Sequence, residues 1–190
     1  LVKGYIKEKY NKPGNVYLGL VHRLDRPVGG IMIFAKTSKA ASRLSNQVRE
    51  KVFKKKYLAV VDGKFEKNNG TLEDYLYKDE RNNISKVVSN PKKNAKFAKL
   101  DLKYNEVKDL SLVEINLHTG RHHQIRVQLS NFGHSIFGDQ KYGTRGKGKQ
   151  IALWAYKLTI EHPITKEKMT FEDLPEPIGT WCILKNYNNE

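Results

Sequence analysis

The sequence predicts a single domain that contains both helices and strands, because patterns typical of each occur along a chain long enough for one core. The chain has 190 residues with no internal repeat or long linker, and a domain of this size needs neither disulfides nor metals to be stable. We expect one domain over residues 1–190. Because the chain starts at Leu1 rather than at a methionine, we also expect a truncated N-terminus.

The first predicted elements are a strand, a helix and a second strand. Residues 31–35 form a short continuous apolar run, which is typical of a buried strand. Thr37 or Ser38 can cap the following helix, which should end before a run of lysines. Its apolar positions at helical spacing are Ala41, Leu44 and Val48. Residues 57–61 predict the next strand, which should end at the turn of residues 62–63.

The second half predicts an excursion, a strand and a helix. Residues 64–93 are polar and rich in Asn and Lys, and we expect them to leave the core and to contain one helical turn. That turn is suggested by Leu72, Tyr75 and Leu76. Residues 112–117 alternate between apolar and polar, as a half-buried strand does. A helix should start near His122 and end at Gly133, which is placed as a C-terminal cap.

Positive charge dominates the composition. A formal net charge of +15 and a pI of about 9.7 favour a polyanionic partner, nucleic acid first, because each neutralised phosphate releases counterions. A generally lysine-rich composition is the alternative explanation. Clustering favours nucleic acid, and the clusters are Lys51, Lys54, Lys55 and Lys56 in one stretch and Lys141, Arg145, Lys147 and Lys149 in another.

Other classes of protein are disfavoured by composition. No apolar run reaches the roughly 20 residues of a membrane helix, so we expect no membrane partner. Cys182 is the only cysteine, which excludes an internal disulfide or a thiolate metal cluster and fits a reducing cytosol. We therefore expect a cytoplasmic protein that acts as a monomer.

Asp25 is the first candidate functional residue. Arg23 and Arg26 flank it, and the turn-forming residues 27–30 follow. Nearby positive charge favours the ionised carboxylate, which could act as a nucleophile or as an anchor. For these residues taken alone, an ion-paired turn between two structural elements is an equally good explanation.

A second polar group lies where the strand at residues 112–117 passes into the predicted helix. Arg121, His122, Gln124 and Arg126 form a dense set of donors that suits phosphate or carboxylate, because arginine makes bidentate charge-assisted hydrogen bonds. An ordinary basic helix face is the alternative. A metal site is disfavoured, because no carboxylate shares the spacing of the histidines and arginine neighbours oppose a cation. These histidines are His118, His122 and His123.

Taken together, these stretches resemble the RluA-type family of pseudouridine synthases over most of the chain. Residues 21–26, followed by Gly30 and residues 35–37, are similar to the motif with the family's catalytic aspartate. Residues 56–61 are similar to the strand that carries its active-site tyrosine. The family's arginine-bearing motif is matched by residues 119–126, 133–139 and 142–143. Agreement of three motifs in order argues against chance.

The resemblance implies an α+β domain with a pseudouridine synthase fold, which has a mixed, mostly antiparallel sheet, flanking helices and a central RNA-binding cleft. It implies that uridine in ribosomal or transfer RNA is isomerised to pseudouridine without a cofactor or a metal. Asp25 would be the nucleophile or base, and Arg126 the basic partner that keeps it ionised. Tyr57 would stack on the base and could take part in proton transfer, unless it is only a core aromatic.

The resemblance also implies which residues meet the RNA. The target uridine must leave its helix or loop to reach the aspartate, and Arg23 would fill the space it leaves. The other residues expected to contact RNA are His22, Arg26, Arg121, His122, Lys55 and Lys56. Contacts to the RNA backbone position the substrate without reading its sequence, so the residues do not predict which uridine is modified.

Three departures from the family pattern are visible. Gly29 stands where a serine or threonine is usual, and Trp154 stands where a histidine is common. The chain also starts close to the aspartate motif, without the upstream strand that members carry. These departures keep two alternatives open: a basic RNA-binding module that has lost catalysis, and a metal-dependent nuclease using Asp25, Asp139 and the histidines.

Overall fold

The computed structural model describes residues 1–65, 69–89, 94–107 and 109–189. Within these ranges the chain forms three α-helices, ten β-strands and a 3₁₀-helix. The helices are α1 (Val2–Lys9), α2 (Ser38–Arg49), α3 (Gln124–Asn131) and the 3₁₀-helix Gly179–Asn189. The strands are β1 (Gly19–Leu20), β2 (Gly29–Gly30), β3 (Phe34–Ala35), β4 (Lys54–Asp62), β5 (Asn69–Asp79), β6 (Ile84–Val88), β7 (Lys96–Val107), β8 (Leu110–Leu117), β9 (Leu153–Glu161) and β10 (Lys168–Glu172).

One large mixed sheet organises the fold. Its strands follow the order β10-β9-β4-β8-β7-β5-β6, and neighbours along this path are antiparallel. β2 adds a short parallel pairing to β9, and β1 pairs with β3 in a separate two-stranded sheet. The predicted α+β class and the mostly antiparallel sheet are confirmed.

Strand β4 lies in the middle of the sheet and is buried on both faces. Leu58 and Val60 point to one face, and Ala59 and Val61 to the other, yet all four are at most 1% exposed. This burial explains why residues 57–61 are a continuous apolar run rather than an alternating one. The predicted strand is confirmed and is longer than the run, because the preceding lysines also pair with β8 and β9.

Helix α2 packs beside β9 and ends before the lysine run, as predicted. The Thr37 side chain accepts a hydrogen bond of 3.1 Å from the Ala40 backbone nitrogen, so Thr37 is the N-cap. Leu44 is the most deeply buried apolar residue of the helix and joins a small core with Phe53 and Leu158. This packing fixes α2 between β3 and β4, and β4 borders the candidate site.

Two local predictions are wrong. The strand predicted at residues 31–35 is reduced to β3, because most of the run packs against α2 outside any ladder. Residues 72–76 belong to β5 and not to a helical turn, because Leu72 and Leu76 also share one face of a strand while Tyr75 faces the other. β5 and β6 form an edge hairpin of the sheet. Residues 66–68 and 90–93 of the predicted excursion lie outside the described residues.

Helix α3 ends where the sequence predicts but begins later. Gly133 follows its C-terminus with φ of +95°, the left-handed conformation that favours glycine. The helix starts at Gln124 rather than near His122, because the preceding turn is tied down by side chains. None of the helices in the described ranges is long and apolar enough to cross a membrane.

Candidate active site

A tight turn between β1 and β2 presents the Asp25 carboxylate. The Val28 backbone nitrogen donates to the Asp25 carbonyl at 2.9 Å, which closes the turn. The Arg26 backbone nitrogen donates to Asp25 Oδ1, also at 2.9 Å. The Asp25 side chain keeps 27% of its surface exposed. The turn therefore holds the carboxylate in place and leaves it accessible.

The turn between β8 and α3 is fixed by one buried amide. Gln124 Oε1 accepts hydrogen bonds from Thr119 Oγ1 at 2.8 Å and from the Arg121 backbone nitrogen at 3.0 Å. Gln124 Nε2 donates to the Lys99 carbonyl of β7 at 3.2 Å. The chain consequently reaches His123 in a left-handed conformation with φ of +53° before the helix begins. This geometry aims both His123 and Arg126 at the Asp25 turn.

Arg126 connects Asp25 to a second carboxylate, Asp139. Its Nε and Nη2 donate to the two oxygens of Asp139 at 2.8 and 2.6 Å, and its Nη1 donates to Asp25 Oδ2. Asp139 is 1% exposed and also accepts the backbone N–H groups of Lys141 and Tyr142. The bidentate pair with Asp139 fixes the guanidinium plane, so the remaining nitrogen is directed at Asp25.

These contacts decide the charge of Asp25. Partial burial favours the neutral acid, but hydrogen bonds from His123 and Arg126 and the nearby Arg126 charge outweigh it and hold the pKa of Asp25 well below its usual range. The carboxylate is therefore ionised at neutral pH. Asp139 follows the same pattern, because its burial is outweighed by Arg126 and its pKa is lowered.

Nine of the ten predicted site residues line one cavity of about 800 Å³. They are Asp25, Tyr57, Arg126, His22, Arg23, Arg26, Lys55, Arg121 and His122. The cavity falls within the range of roughly 300–1,000 Å³ that is typical of small-ligand sites. Three motifs that are far apart in the sequence thus meet at a single place.

Lys56 is the exception. Along β4, Lys55 and Tyr57 face the cavity, whereas Lys54 and Lys56 face the opposite side of the sheet. Lys56 Nζ forms a salt bridge of 2.6 Å with Glu114 there. Burial in the cavity wall lowers the pKa of Lys55. The predicted basic patch is therefore divided between two faces.

Burial shifts the pKa of two other residues of the cavity wall, Tyr57 and His22. Tyr57 is 7% exposed, and burial raises its pKa to about 12, so its hydroxyl remains protonated. His22 Nε2 accepts a hydrogen bond of 3.0 Å from the Ile33 backbone nitrogen, which places the ring proton on Nδ1. Burial and the nearby Lys55 charge lower the pKa of His22 to about 4. Nδ1 is buried without a hydrogen-bond partner among the described residues.

Known proteins with similar sequences and folds are pseudouridine synthases. Residues 2–131 match the family model described as RNA pseudouridylate synthase. The chain belongs to this family. The resemblance inferred from the three motifs is thereby confirmed.

Two curated relatives show the extent of the sequence similarity. The uncharacterized RNA pseudouridine synthase YlyB of Bacillus subtilis (strain 168) is 39% identical over 169 residues, covering 85% of this chain and 54% of that protein. Ribosomal large subunit pseudouridine synthase C of Haemophilus ducreyi (strain 35000HP) is 35% identical over 169 residues, covering 83% of this chain and 52% of that protein. The chain spans about half the length of the curated relatives it matches.

Solved structures agree in fold. Human RNA Pseudouridylate Synthase Domain Containing 1 has a TM-score of 0.74 and 26% sequence identity, covering 89% of this chain and 72% of that one. Human RNA Pseudouridylate Synthase Domain Containing 4 has a TM-score of 0.77 at 22% identity, covering 92% and 77%, and supports the fold alone.

Two departures from the RNA pseudouridylate synthase pattern are parts of one contact. Gly29 pairs with Trp154 across the parallel β2–β9 ladder. A Cβ added to Gly29 would lie 2.2 Å from Trp154 Cζ3, far inside van der Waals contact. The indole therefore fills the space that a side chain at position 29 would need, and Gly29 is required by Trp154. Gly30 has φ of +116°, and a Cβ added there would lie 2.3 Å from the Ala155 carbonyl oxygen.

Sequence reasoning gave three residues of this site no role in the isomerisation, although the nuclease alternative uses Asp139 and His123. His123 contacts Asp25, Asp139 holds Arg126, and Tyr142 bonds to His123. All three lie within motifs quoted for the family, so their positions were visible but their contacts were not. Among the described residues, no three His, Cys, Asp or Glu side chains are grouped so that they could hold a metal ion, which leaves the nuclease alternative without a metal site there.

Proposed function

We propose that this domain isomerises uridine in RNA to pseudouridine, with Asp25 as the essential nucleophile or base. The observation that carries the proposal is an ionised, accessible carboxylate held by Arg126 in a cavity that also contains Tyr57. The reaction breaks the bond from uracil N1 to the sugar, joins C5 to the same sugar carbon and moves one proton. Substrate and product are isomers, so no oxidant, reductant or cofactor is needed.

Three routes use the carboxylate differently. Asp25 attacks the uracil ring, attacks the sugar carbon, or helps to remove a sugar proton. Each route needs an anion, which agrees with the lowered pKa of Asp25. Tyr57 supplies a flat face for the freed base and a hydroxyl that stays protonated, because burial raises its pKa to about 12.

The cavity wall supplies contacts for the RNA around the flipped uridine. In the proposal Arg23 fills the space the base leaves, and the other cationic or donor groups hold the backbone. They are His22, Arg26, Lys55, Arg121 and His122.

Ribosomal RNA is the substrate we favour over transfer RNA. Several relatives carry the name ribosomal large subunit pseudouridine synthase C. We propose that the domain meets this RNA in the cytoplasm and acts as a monomer. The modified uridine remains to be identified by mapping, because backbone contacts do not encode a sequence.

Chemical treatment of cellular RNA followed by primer-extension mapping tests this proposal. Cellular RNA from a strain lacking the gene is treated with carbodiimide and mapped by primer extension, then compared with strains restored by wild type or by Asp25→Asn. A site that disappears and returns only with wild type supports the proposal. If no site changes while the purified chain still binds RNA, the domain is an RNA-binding module without catalysis.

A further inference from the structure

Tyr142 links the backbone of the β5–β6 hairpin to the histidine that touches Asp25. The Ser85 backbone nitrogen donates to the Tyr142 hydroxyl at 2.7 Å. The same hydroxyl lies 2.8 Å from His123 Nδ1. On the other side of the ring, His123 Nε2 lies 3.3 Å from Asp25 Oδ2. The four groups form a continuous chain that ends at the candidate catalytic carboxylate.

Hydrogen-bond chemistry gives this chain one direction. A backbone N–H only donates, so the Tyr142 oxygen accepts from Ser85 and its own proton is available to His123 Nδ1. An ionised carboxylate only accepts, so the nitrogen facing Asp25 must carry a proton. When the ring is neutral, both ends are satisfied by one tautomer, with the proton on Nε2 and a lone pair on Nδ1.

The two oxygens of Asp25 are consequently unequal. Oδ2 accepts a hydrogen bond from Arg126 Nη1 and faces His123 Nε2 at 3.3 Å, so two donor groups of the protein lie beside this oxygen. Oδ1 receives the Arg26 backbone nitrogen and no further donor from the described residues. We infer that His123 is a positioning residue, locked by Tyr142 and Ser85, which places a second donor group beside Oδ2 and leaves Oδ1 as the reacting oxygen of Asp25.

The local backbone supports this role. His123 has φ of +53°, a left-handed conformation that is costly for a residue with a Cβ, and its side chain is only 4% exposed. The ring stacks on His122 at 3.7 Å and meets Tyr142 edge-on at 5.5 Å. A buried and oriented ring at a strained position is a feature that the turn alone does not require.

The inference rests on the proposed function for its kinetic part but has a direct structural readout. The full chain is labelled with ¹⁵N-histidine, and long-range proton–nitrogen spectra are recorded at neutral pH. We expect two histidines with a protonated Nε2 and a hydrogen-bonded, unprotonated Nδ1. One is His162, whose Nδ1 accepts from the Thr165 backbone nitrogen at 3.1 Å, and the other is His123, whose signal alone should vanish in His123→Gln. In Tyr142→Phe the Nδ1 resonance should move towards that of a free acceptor. A wild-type His123 with its neutral proton on Nδ1 overturns the proposal.

Ser85→Ala is the matched control for the spectra. It removes the hydroxyl that bonds to His122 but keeps the backbone N–H that bonds to Tyr142. The His123 nitrogen shifts should therefore stay as in wild type. If Ser85→Ala moves them as far as Tyr142→Phe does, the side chain rather than the backbone sets the ring, and the proposed chain is wrong.

Single-turnover kinetics on a uridine-containing RNA substrate give the second readout. Tyr142→Phe, which keeps the ring volume, should lower the rate about tenfold with RNA affinity unchanged. His123→Asn, which tolerates the left-handed backbone but is shorter, should lower it about a hundredfold, and His123→Gln should recover part of this loss. Tyr77→Phe, at an exposed tyrosine of β5, is the control and should match wild type.

The outcomes separate the two proposals. Wild-type rates in Tyr142→Phe and His123→Asn, in an active preparation, overturn the positioning role. If wild type itself has no activity on any RNA, the proposed function fails, while the spectra still decide whether His123 holds its proton on Nε2.

Discussion

The two faces of strand β4 carry similar residues in different surroundings. On the inner face, Lys55 and Tyr57 line the cavity with Asp25, and burial lowers the pKa of Lys55. On the outer face, Lys54 and Lys56 border a shallower groove of about 330 Å³, where Lys56 is neutralised by Glu114. The consecutive lysines of β4 therefore do not form one basic surface. Strand alternation assigns each lysine to a face, and the neighbours on that face decide what its charge can do.

The largest effect is expected from replacing the carboxylate of Asp25, and the carboxylate of Glu114 on the outer face is the comparison. Asp25→Asn should reduce turnover at least about a thousandfold, because the amide cannot act as the anionic nucleophile or base, while RNA affinity changes less than about twofold. Glu114→Gln alters the outer carboxylate paired with Lys56 and should leave turnover within about twofold. Single-turnover rates and filter binding measure both. Full activity in Asp25→Asn would contradict the central assignment.

Histidines on the two faces should differ in their effect on acid stability. The pKa of buried His22 is lowered to about 4, whereas an unfolded histidine titrates near 6.5. Between these values the unfolded chain takes up a proton that the folded chain does not, so stability falls as pH drops from about 6.5 to 4. The loss should reach about 3 kcal/mol.

Urea unfolding at several pH values measures this loss. His22→Gln should flatten the decline, because glutamine does not titrate. His118→Gln alters a histidine on the outer face, which lies 2.5 Å from Asp101, and serves as the comparison. Equal flattening by the two variants would show that His22 is not the group responsible.

The third prediction concerns the contact between Gly29 and Trp154, which lies next to the Asp25 turn. Gly29→Ser should destabilise the fold by roughly 1–3 kcal/mol, because the added side chain enters space held by Trp154. Trp154→His in the same chain should recover most of the loss, so the two substitutions should be strongly non-additive. Thermal or urea unfolding of the single and double variants decides this. Additive losses would mean that the two residues are independent.

The smallest expected effect compares neighbouring lysines. Lys55→Ala should weaken RNA binding about fivefold to tenfold, because a cation in the cavity wall is removed. Lys56→Ala should change affinity less than about twofold, because its charge is already paired on the other face. Titrations at two salt concentrations measure both. Equal losses would show that RNA also covers the outer groove.

The sequence alone identified the main residues of the site but not all of their contacts. Asp25, Tyr57 and Arg126 lie in compact motifs, and the resemblance to the family singled them out as site residues. The bidentate bond from Arg126 to Asp139 depends on the turn that brings two segments together, and no local pattern encodes it. Likewise, Gly29 and Trp154 looked like two separate departures until the β2–β9 pairing joined them.

The errors in secondary structure have a similar cause. Leu72 and Leu76 are spaced for a helical turn and also for one face of a strand, and pairing of β5 with β7 selects the strand. The inner or outer position of Lys55 and Lys56 depends on the register of β4, which a run of identical residues cannot reveal. Local patterns predicted elements better than they predicted which face meets the cavity.

The contacts of Arg126 with Asp25 and Asp139 have a consequence for how the protein is synthesised. Asp25 leaves the ribosome about a hundred residues before Arg126, and Asp139 follows Arg126 by 13 residues. Until all three have emerged and folded, the carboxylate has neither its arginine nor a finished cavity. Under the proposed function, a nascent chain near ribosomal RNA therefore has no complete active site, and modification of uridine would begin only after synthesis has passed residue 139.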